Sequence, residues 1–377
     1  MTVKFDRVVV VVIDGLGIGS VPDAAHFADQ GADTLGRLVS HFRARLQLPT
    51  LTGLGLGELH PLFGPAVPVN DHVYYGQARP AAIGKTPLET GWELLGVPTT
   101  EEFTALPQGL SPTLLAAITR YAKRLLIGNQ PATPRSVLAR WGGEQVATGG
   151  VIVFTSGGSD LWLTAHESTV PVAELRRLGH FTRQLLDQQP GVNLARVVAV
   201  PFRDDPLQGY AYRSAAGAEL TMAAPGTTLL DQLQSHRIPV RALAGGRETF
   251  AKLGPQLARQ RAGVWLTHLR TVDQAGARRN PEQMGQCLAA VDQALGELLP
   301  VVSGHDLLVV TAGHGNDPDF PGRQVTREWV PVLAYSPALV GGRLADRTSL
   351  ADVTALILEN YGLSSSGAGV SFLNLLK

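Results

Sequence analysis

Three polar side chains of this 377-residue chain follow apolar runs, at positions where α/β proteins commonly do chemistry. Asp14 comes directly after "RVVVVVI", Asp273 lies a few residues after "GVWLTHL", and His314 follows "DLLVVTAG". Ligands of open α/β sheets bind at the carboxyl ends of the strands. Carboxylate oxygens and imidazole nitrogens are common ligands of divalent metals. The three side chains could therefore converge on a metal ion, although they lie far apart in sequence.

The turn after Asp14 is rich in glycine, which allows more than one interpretation. A dinucleotide-binding loop of the form G-x-G-x-x-G would need a glycine where Ser20 stands, and the acid would repel a pyrophosphate. A carboxylate at this turn suits a divalent cation instead. An aspartate that simply caps the following turn is the structural alternative.

The elements that must position these residues alternate between strands and helices. The β-branched run 7–13 and the segments 263–269 and 305–313 are typical of strands buried on both faces of a sheet. Segment 281–300 has apolar residues at helical spacing, and 226–246 has a helix followed by a strand. This alternation predicts an α/β fold with a doubly wound sheet.

The middle of the chain predicts a separate α/β insertion. A linker-like stretch begins near residue 98, and the chain returns to the main sheet near 224–230. Between these points we predict strands at 150–156 and 195–202 and a helix at 172–188.

Composition limits the partners and the location that we expect. Lysine plus arginine equals aspartate plus glutamate at 32 each, so no net field favours nucleic acid or an anionic membrane. The opening apolar run is too short to span a bilayer and lacks a signal-peptide cleavage pattern. We expect a cytoplasmic protein whose partners are small phosphorylated molecules or other proteins, with no nucleic acid and no membrane.

Several ordered segments resemble the phosphopentomutases of the alkaline phosphatase superfamily. They are "VIDGLGIGSVPDAAHFADQGADTLG" (12–36), "GKTPLETGWELLG" (84–96), "TSGGSDLWLTAHE" (155–167), "GHDLLVVTAGHGNDPDFPGRQVTREWVPVLAYSP" (304–337) and "GAGVSFL" (367–373). The resemblance covers nearly the whole chain. It implies an alkaline-phosphatase-like core of residues 1–98 and 222–377, an inserted cap domain of residues 99–221, and transfer of a phosphate between positions 1 and 5 of ribose or deoxyribose.

The resemblance also implies two divalent metal ions, usually manganese, and a phosphorylated threonine. Asp14, Asp273 and His314 match family metal ligands. The family motif "ADHGND" reads "AGHGND" here, so Gly313 replaces a ligand of the first metal. We therefore expect at most one weakly bound divalent ion, manganese or magnesium.

The second metal loses more of its ligands than the first. The family motif "GHRRD" reads "GARRN", which puts Ala277 in place of a histidine; a one-residue gap would put Arg278 there instead. The motif "DHTREY" reads "QVTREW", so Val325 replaces the other histidine. Only Asp273 remains, and a single carboxylate rarely holds a transition metal tightly.

The nucleophile and the sugar-phosphate contacts are also replaced. The family motif "GKDTMTGHWE" overlays "GKTPLETGWE" so that Pro87 stands at the reactive threonine, with Thr86 and Thr90 as the nearby candidates. In the insertion, Gly158 replaces the aspartate of "TSADS", and 216–221 lacks the arginine of "NRHDYA".

These losses predict a divergent family member without mutase activity, which binds a ligand or a partner protein. The alternative is a metal-dependent phosphoryl or sulfuryl transfer enzyme with an altered substrate, using Asp14, Asp273 and His314. Near the former metal site we expect Arg327 and Glu328 to form an ion pair.

Overall fold

A computed structural model of the chain describes residues 3–62, 67–156, 158–246, 248–260, 262–321, 325–364 and 368–377. Gln324 and Gly367, which begin the motifs "QVTREW" and "GAGVSFL", lie outside these ranges. By contacts, the chain divides into two compact units, Met1–Thr100 with Ala224–Lys377, and Glu101–Ala223. The role of the second unit as a cap stays a prediction.

The strands of the described residues are β1 (Arg7–Ile13), β2 (Val73–Ala78), β3 (Leu126–Pro131), β4 (Val151–Thr155), β5 (Asp160–His166), β6 (Arg196–Asp205), β7 (Gly209–Tyr212), β8 (Ala218–Thr221), β9 (Val240–Gly245), β10 (Gly263–Leu269), β11 (Asp306–Thr311), β12 (Val330–Tyr335) and β13 (Gly342–Arg343). The α-helices are α1 (Thr34–Phe42), α2 (Pro49–Gly53), α3 (Leu56–Leu59), α4 (Pro87–Leu94), α5 (Pro112–Ala122), α6 (Pro134–Thr148), α7 (Val172–Asp187), α8 (Leu229–Ser235), α9 (Glu248–Arg259), α10 (Thr271–Ala277), α11 (Pro281–Leu298) and α12 (Ala351–Asn360). None of these helices is long and apolar enough to cross a membrane.

The first unit is built on a seven-stranded sheet of order β13-β2-β12-β11-β1-β10-β9. Strand β1 lies between β10 and β11 and runs parallel to both, so its β-branched residues are buried on both faces. The predicted α/β class and the central strand are confirmed. The sheet is mixed, because β12 is antiparallel to β11 and β2 is antiparallel to β12.

The register of the three central strands brings their carboxyl ends together. Val12 of β1 lies beside His268 of β10 and beside Thr311 of β11. One bridge beyond the strands joins Gly15 to Gly315. The residues that follow β1, β10 and β11 therefore meet at one edge of the sheet.

The second unit contains a six-stranded sheet. Strands β3-β4-β5-β6-β7 form its main path, and β8 pairs with β6. The predicted strands at 150–156 and 195–202 correspond to β4 and β6, and the predicted helix at 172–188 corresponds to α7. The helix packs against this sheet through buried residues that include Leu175, Leu178 and Leu186.

Candidate metal and nucleophile site

Asp14 and His314 lie together at the carboxyl edge of the central strands, as the sequence predicted. Asp14 is 4 % exposed and His314 is 1 % exposed. The Asp14 Oδ1 atom is 4.0 Å from His314 Nε2. His314 Nδ1 is 3.0 Å from the Gly315 carbonyl oxygen, which can only accept, so Nδ1 carries a hydrogen and Nε2 is the ring nitrogen that a metal ion would bind. That Nε2 atom has no hydrogen-bond partner among the described residues.

A third side chain, His268 of β10, contacts the same carboxylate. Its Nε2 is 3.0 Å from Asp14 Oδ1, and its side chain is 39 % exposed. Burial raises the pKa of Asp14, but the hydrogen bond from His268 and the nearby His268, His314 and Arg270 together lower it below its usual value. Asp14 is therefore a buried carboxylate whose charged form is favoured by a hydrogen-bond donor and by nearby positive charge.

Gly313, where the resemblance implies a metal ligand in the family, leaves the space of a side chain next to Asp14. A Cβ on Gly313 would lie 3.6 Å from Asp14 Oδ1 and 3.1 Å from Thr90 Oγ1. Thr90 is 1 % exposed, and its hydroxyl makes a long contact of 3.3 Å with the Thr86 carbonyl oxygen. Of the two threonines considered as nucleophiles, Thr90 is the one whose hydroxyl lies at this space.

Asp273 lies close to Gly15, the residue after Asp14, and its side chain is bound to a neutral amide. Its Cα would be 3.0 Å from a Cβ on Gly15. Asn316 Nδ2 donates to Asp273 Oδ1 at 2.7 Å and to the Asp273 carbonyl oxygen at 3.1 Å. Asp273 therefore has an amide partner where the family places a metal.

The surroundings of Asp273 do not fit a second metal ion. Ala277 at the end of α10 and the buried Val325 offer no ligand atoms. Within the described ranges, no three His, Cys, Asp or Glu side chains are arranged to hold a metal ion. The buried, unpaired nitrogen of His314 next to Asp14 fits one cation with two protein ligands, and the described residues offer no such unpaired nitrogen beside Asp273.

Pro87 and Thr86 have a structural role at the start of α4. Thr86 is the N-cap, and its hydroxyl accepts from the Glu89 N–H at 3.3 Å and donates to Glu89 Oε2 at 2.8 Å. Glu89 Oε2 also accepts from the Thr86 N–H at 3.0 Å, which completes a capping box. Pro87 occupies the first helical position, where proline is favoured because no N–H is needed. The segment "TPLE" is thus a strong helix start.

Thr86→Ala is expected to lower the free energy of unfolding by about 1 kcal/mol, because the first turn of α4 loses its side-chain cap. Thr86→Ser keeps the hydroxyl and is expected to stay within about 0.5 kcal/mol of the wild type. Urea unfolding of the two variants measures the difference. Equal stability of the alanine and serine variants would show that the hydroxyl does not cap the helix.

The predicted ion pair between Arg327 and Glu328 is wrong. Arg327 Nη2 pairs with Asp23 Oδ2 at 2.9 Å, and the guanidinium donates to the carbonyl oxygens of Pro80, Ala82 and Gly84. The two side chains bind different partners because successive residues of an extended segment point in opposite directions. Arg327 therefore fixes the segment that leads into α4.

Glu328 is fully buried and receives four hydrogen bonds. The donors are the N–H groups of Gly19 and Thr34, at 3.1 and 2.9 Å, and the hydroxyls of Thr34 and Thr326, both at 2.6 Å. Burial raises the pKa of Glu328, and the four donors oppose this shift without cancelling it. A Cβ on Gly17 would lie 2.2 Å from a Glu328 carboxyl oxygen. Glu328 thus joins the turn after β1 to the start of α1.

In the second unit, the segments that replace the family's sugar-phosphate contacts have other partners. Ser156 donates to Asp160 through both its N–H and its hydroxyl. Gly158 would place a Cβ 3.5 Å from Ser156 Oγ, which is ordinary contact, so the site has room for a side chain that the sequence does not supply. Residues 218–221 form β8, where Glu219 pairs with Arg196 at 3.0 Å.

Sequence reasoning missed His268. It stands near the end of the buried strand β10, which pairs directly with β1, and strand ends are where ligands bind. Its place near the end of a buried strand marks His268 as a candidate site residue. Its contact with Asp14 can be predicted only when the pairing of β1 with β10 is known.

The sequence matches one family model and a curated protein that aligns over nearly the whole chain. Residues 234–365 match the family described as Metalloenzyme superfamily. The chain is 36 % identical to the phosphopentomutase of Levilactobacillus brevis over 396 aligned positions, which cover 99 % of this chain and 100 % of that protein.

Solved structures resemble the chain more distantly. The phosphoglycerate mutase of Leishmania mexicana gives a TM-score of 0.48 at 12 % identity and covers 98 % of this chain and 99 % of that one. The PH0037 protein of Pyrococcus horikoshii gives a TM-score of 0.44 at 14 % identity, and the match covers 95 % of this chain and 98 % of that one.

Proposed function

The chain belongs to the phosphopentomutase family of the alkaline phosphatase superfamily, and from this premise we propose that it does not catalyse the mutase reaction. The reaction needs a nucleophile that takes up the phosphate and metal ions that neutralise the phosphoryl oxygens. The observation that carries the proposal is the capping box at α4, where Pro87 supplies no hydroxyl and the Thr86 hydroxyl is bound to Glu89.

The metal ligands support the same proposal. Gly313, Ala277 and Val325 stand at three ligand positions of the family and offer no ligand atoms in their side chains. The Asp273 carboxylate accepts a hydrogen bond from the Asn316 amide, and no three His, Cys, Asp or Glu side chains of the described residues are arranged to hold a metal. The chain keeps the fold of the family but not these ligands, so its proposed role is to bind a small phosphorylated molecule or a partner protein.

The test is direct assay of phosphate transfer between positions 1 and 5 of ribose and of deoxyribose. Phosphorus NMR of the purified protein with millimolar manganese should show conversion at the rate of the protein-free control. The Levilactobacillus brevis phosphopentomutase under the same conditions is the positive control. Conversion within about a hundredfold of that relative would overturn the proposal.

A second candidate function is metal-dependent phosphoryl or sulfuryl transfer on a different substrate. The unpaired His314 Nε2 beside Asp14, with the Thr90 hydroxyl at the space of Gly313, favours it. One divalent ion bound there would polarise a phosphoryl or sulfuryl oxygen. Asp14 and His314 would hold the ion, whereas Asp273 would not bind it and would only fix the side chain of Asn316 by their hydrogen bond.

Nitrophenyl phosphate and nitrophenyl sulfate with manganese or magnesium test this second function. Hydrolysis that Asp14→Asn and His314→Gln each abolish would support it. Hydrolysis that survives both substitutions would come from elsewhere and would exclude this site as its source.

A further inference from the structure

One oxygen atom of Asp14 has two competing roles. Asp14 Oδ1 is the atom 3.0 Å from His268 Nε2, and it is also the atom 4.0 Å from His314 Nε2. His268 Nε2 carries a hydrogen towards this oxygen, because a carboxylate only accepts. The oxygen therefore already has a donor on the side facing β10.

On the other side of the site, His314 Nε2 has no hydrogen-bond partner within the part of the chain that is described. His314 Nδ1 donates to the Gly315 carbonyl, so Nε2 is the ring nitrogen that would bind a cation. Metal–ligand bonds of about 2.0–2.2 Å allow two ligand atoms on one ion to lie up to about 4.4 Å apart. The 4.0 Å separation of Oδ1 and Nε2 is thus compatible with a shared cation.

We propose that His268 competes with a divalent cation for Asp14 Oδ1 and thereby sets the cation affinity of this site. A cation shared by Asp14 and His314 must approach the oxygen that the His268 N–H already holds. The hydrogen of that N–H carries positive charge, so it repels the incoming ion and must turn away first. His268 is able to turn, because its side chain is 39 % exposed at the mouth of the site.

This competition differs from the loss of ligands that the family comparison describes. Gly313 removes a ligand, whereas His268 adds a donor from the neighbouring strand β10. Removal of the donor should therefore strengthen cation binding even though no ligand is added. The inference does not depend on mutase activity, because binding is measured without a substrate.

The experiment measures manganese binding by metal-stripped, full-length protein at one fixed pH. The spectroscopic signal of free manganese in electron paramagnetic resonance gives the Kd, and the shift in unfolding temperature with added manganese gives a second readout. The variants are His268→Ala, His268→Asn and, as a matched control, His305→Ala. His305 is 83 % exposed and lies just before the start of β11, at the opposite edge of the sheet.

We expect His268→Ala to bind manganese at least about tenfold more tightly than the wild type, with His305→Ala unchanged. His268→Asn should fall between, because its amide can still donate a hydrogen bond but its side chain is shorter. The gain should disappear when Asp14→Asn is added to His268→Ala.

Three results would overturn the inference. Weaker binding by His268→Ala would mean that His268 is itself a ligand. An unchanged Kd would mean that His268 has no effect on the cation, and the same holds if neither protein binds manganese at millimolar concentration. A gain that survives Asp14→Asn would belong to another site. Unfolding temperatures without metal show whether each variant is folded, and the phosphate-transfer assay reports separately on the proposed function.

Discussion

Glu328→Ala is expected to lower the free energy of unfolding by about 3–5 kcal/mol, one of the largest stability losses available in this chain. The substitution removes the acceptor of four hydrogen bonds from a fully buried position. Two of the donors are backbone N–H groups, of Gly19 and Thr34, which cannot turn towards water. Each buried donor left without an acceptor costs about 1–3 kcal/mol, and the contributions are not additive.

Two control variants separate the hydrogen bonds from general effects of mutation. Glu328→Gln keeps the shape but brings an amide NH₂ group against donors, so it should lie between the wild type and Glu328→Ala. Glu359→Ala changes an exposed glutamate of α12 and should stay within about 0.5 kcal/mol of the wild type. Urea unfolding followed by circular dichroism measures all three. A loss below about 1 kcal/mol in Glu328→Ala would mean that the four donors find other acceptors.

The same residue shows what could be predicted from the sequence and what could not. The β-branched run of β1, the strand β10 and the helix α11 were predicted nearly to the residue, because buried strands and amphipathic helices have strong periodic patterns. The partner of Glu328 was predicted wrongly. Three of its four hydrogen bonds come from Gly19 and Thr34, about 300 residues away in sequence, and no local pattern encodes those contacts.

The candidate site was likewise predictable only in part. Asp14 and His314 follow strands whose apolar runs are evident, so their meeting followed from the rule for strand ends. The contact of His268 with Asp14 depends on which strand pairs with β1, and the choice between Thr86 and Thr90 depends on where α4 begins. Strand order and helix caps are fixed by tertiary packing, which single-sequence patterns describe weakly.

Gly313→Asp is expected to tighten manganese binding by about a hundredfold or more, because it completes a three-ligand site with Asp14 and His314. The new Cβ would lie 3.6 Å from Asp14 Oδ1, so the added carboxylate starts next to the remaining ligands. It would also lie 3.1 Å from Thr90 Oγ1, which must shift by a few tenths of an ångström. Among the described residues, the Thr90 hydroxyl makes one hydrogen bond, a long one of 3.3 Å to the Thr86 carbonyl oxygen, so a small shift of the hydroxyl costs little.

The matched controls are Gly313→Asn, which has the same size without the charge, and the pair Ala277→His with Val325→His, which alters the other metal position. Without metal, Gly313→Asp should be less stable than the wild type, since a second carboxylate stands beside Asp14. Manganese at a hundred times its Kd should then stabilise it by about 2.7 kcal/mol. If Gly313→Asn also tightened manganese binding, the gain in affinity would come from a change of the backbone at this turn and not from the added carboxylate. No tightening by Gly313→Asp would mean that Asp14 and His314 cannot act together as ligands of one metal ion.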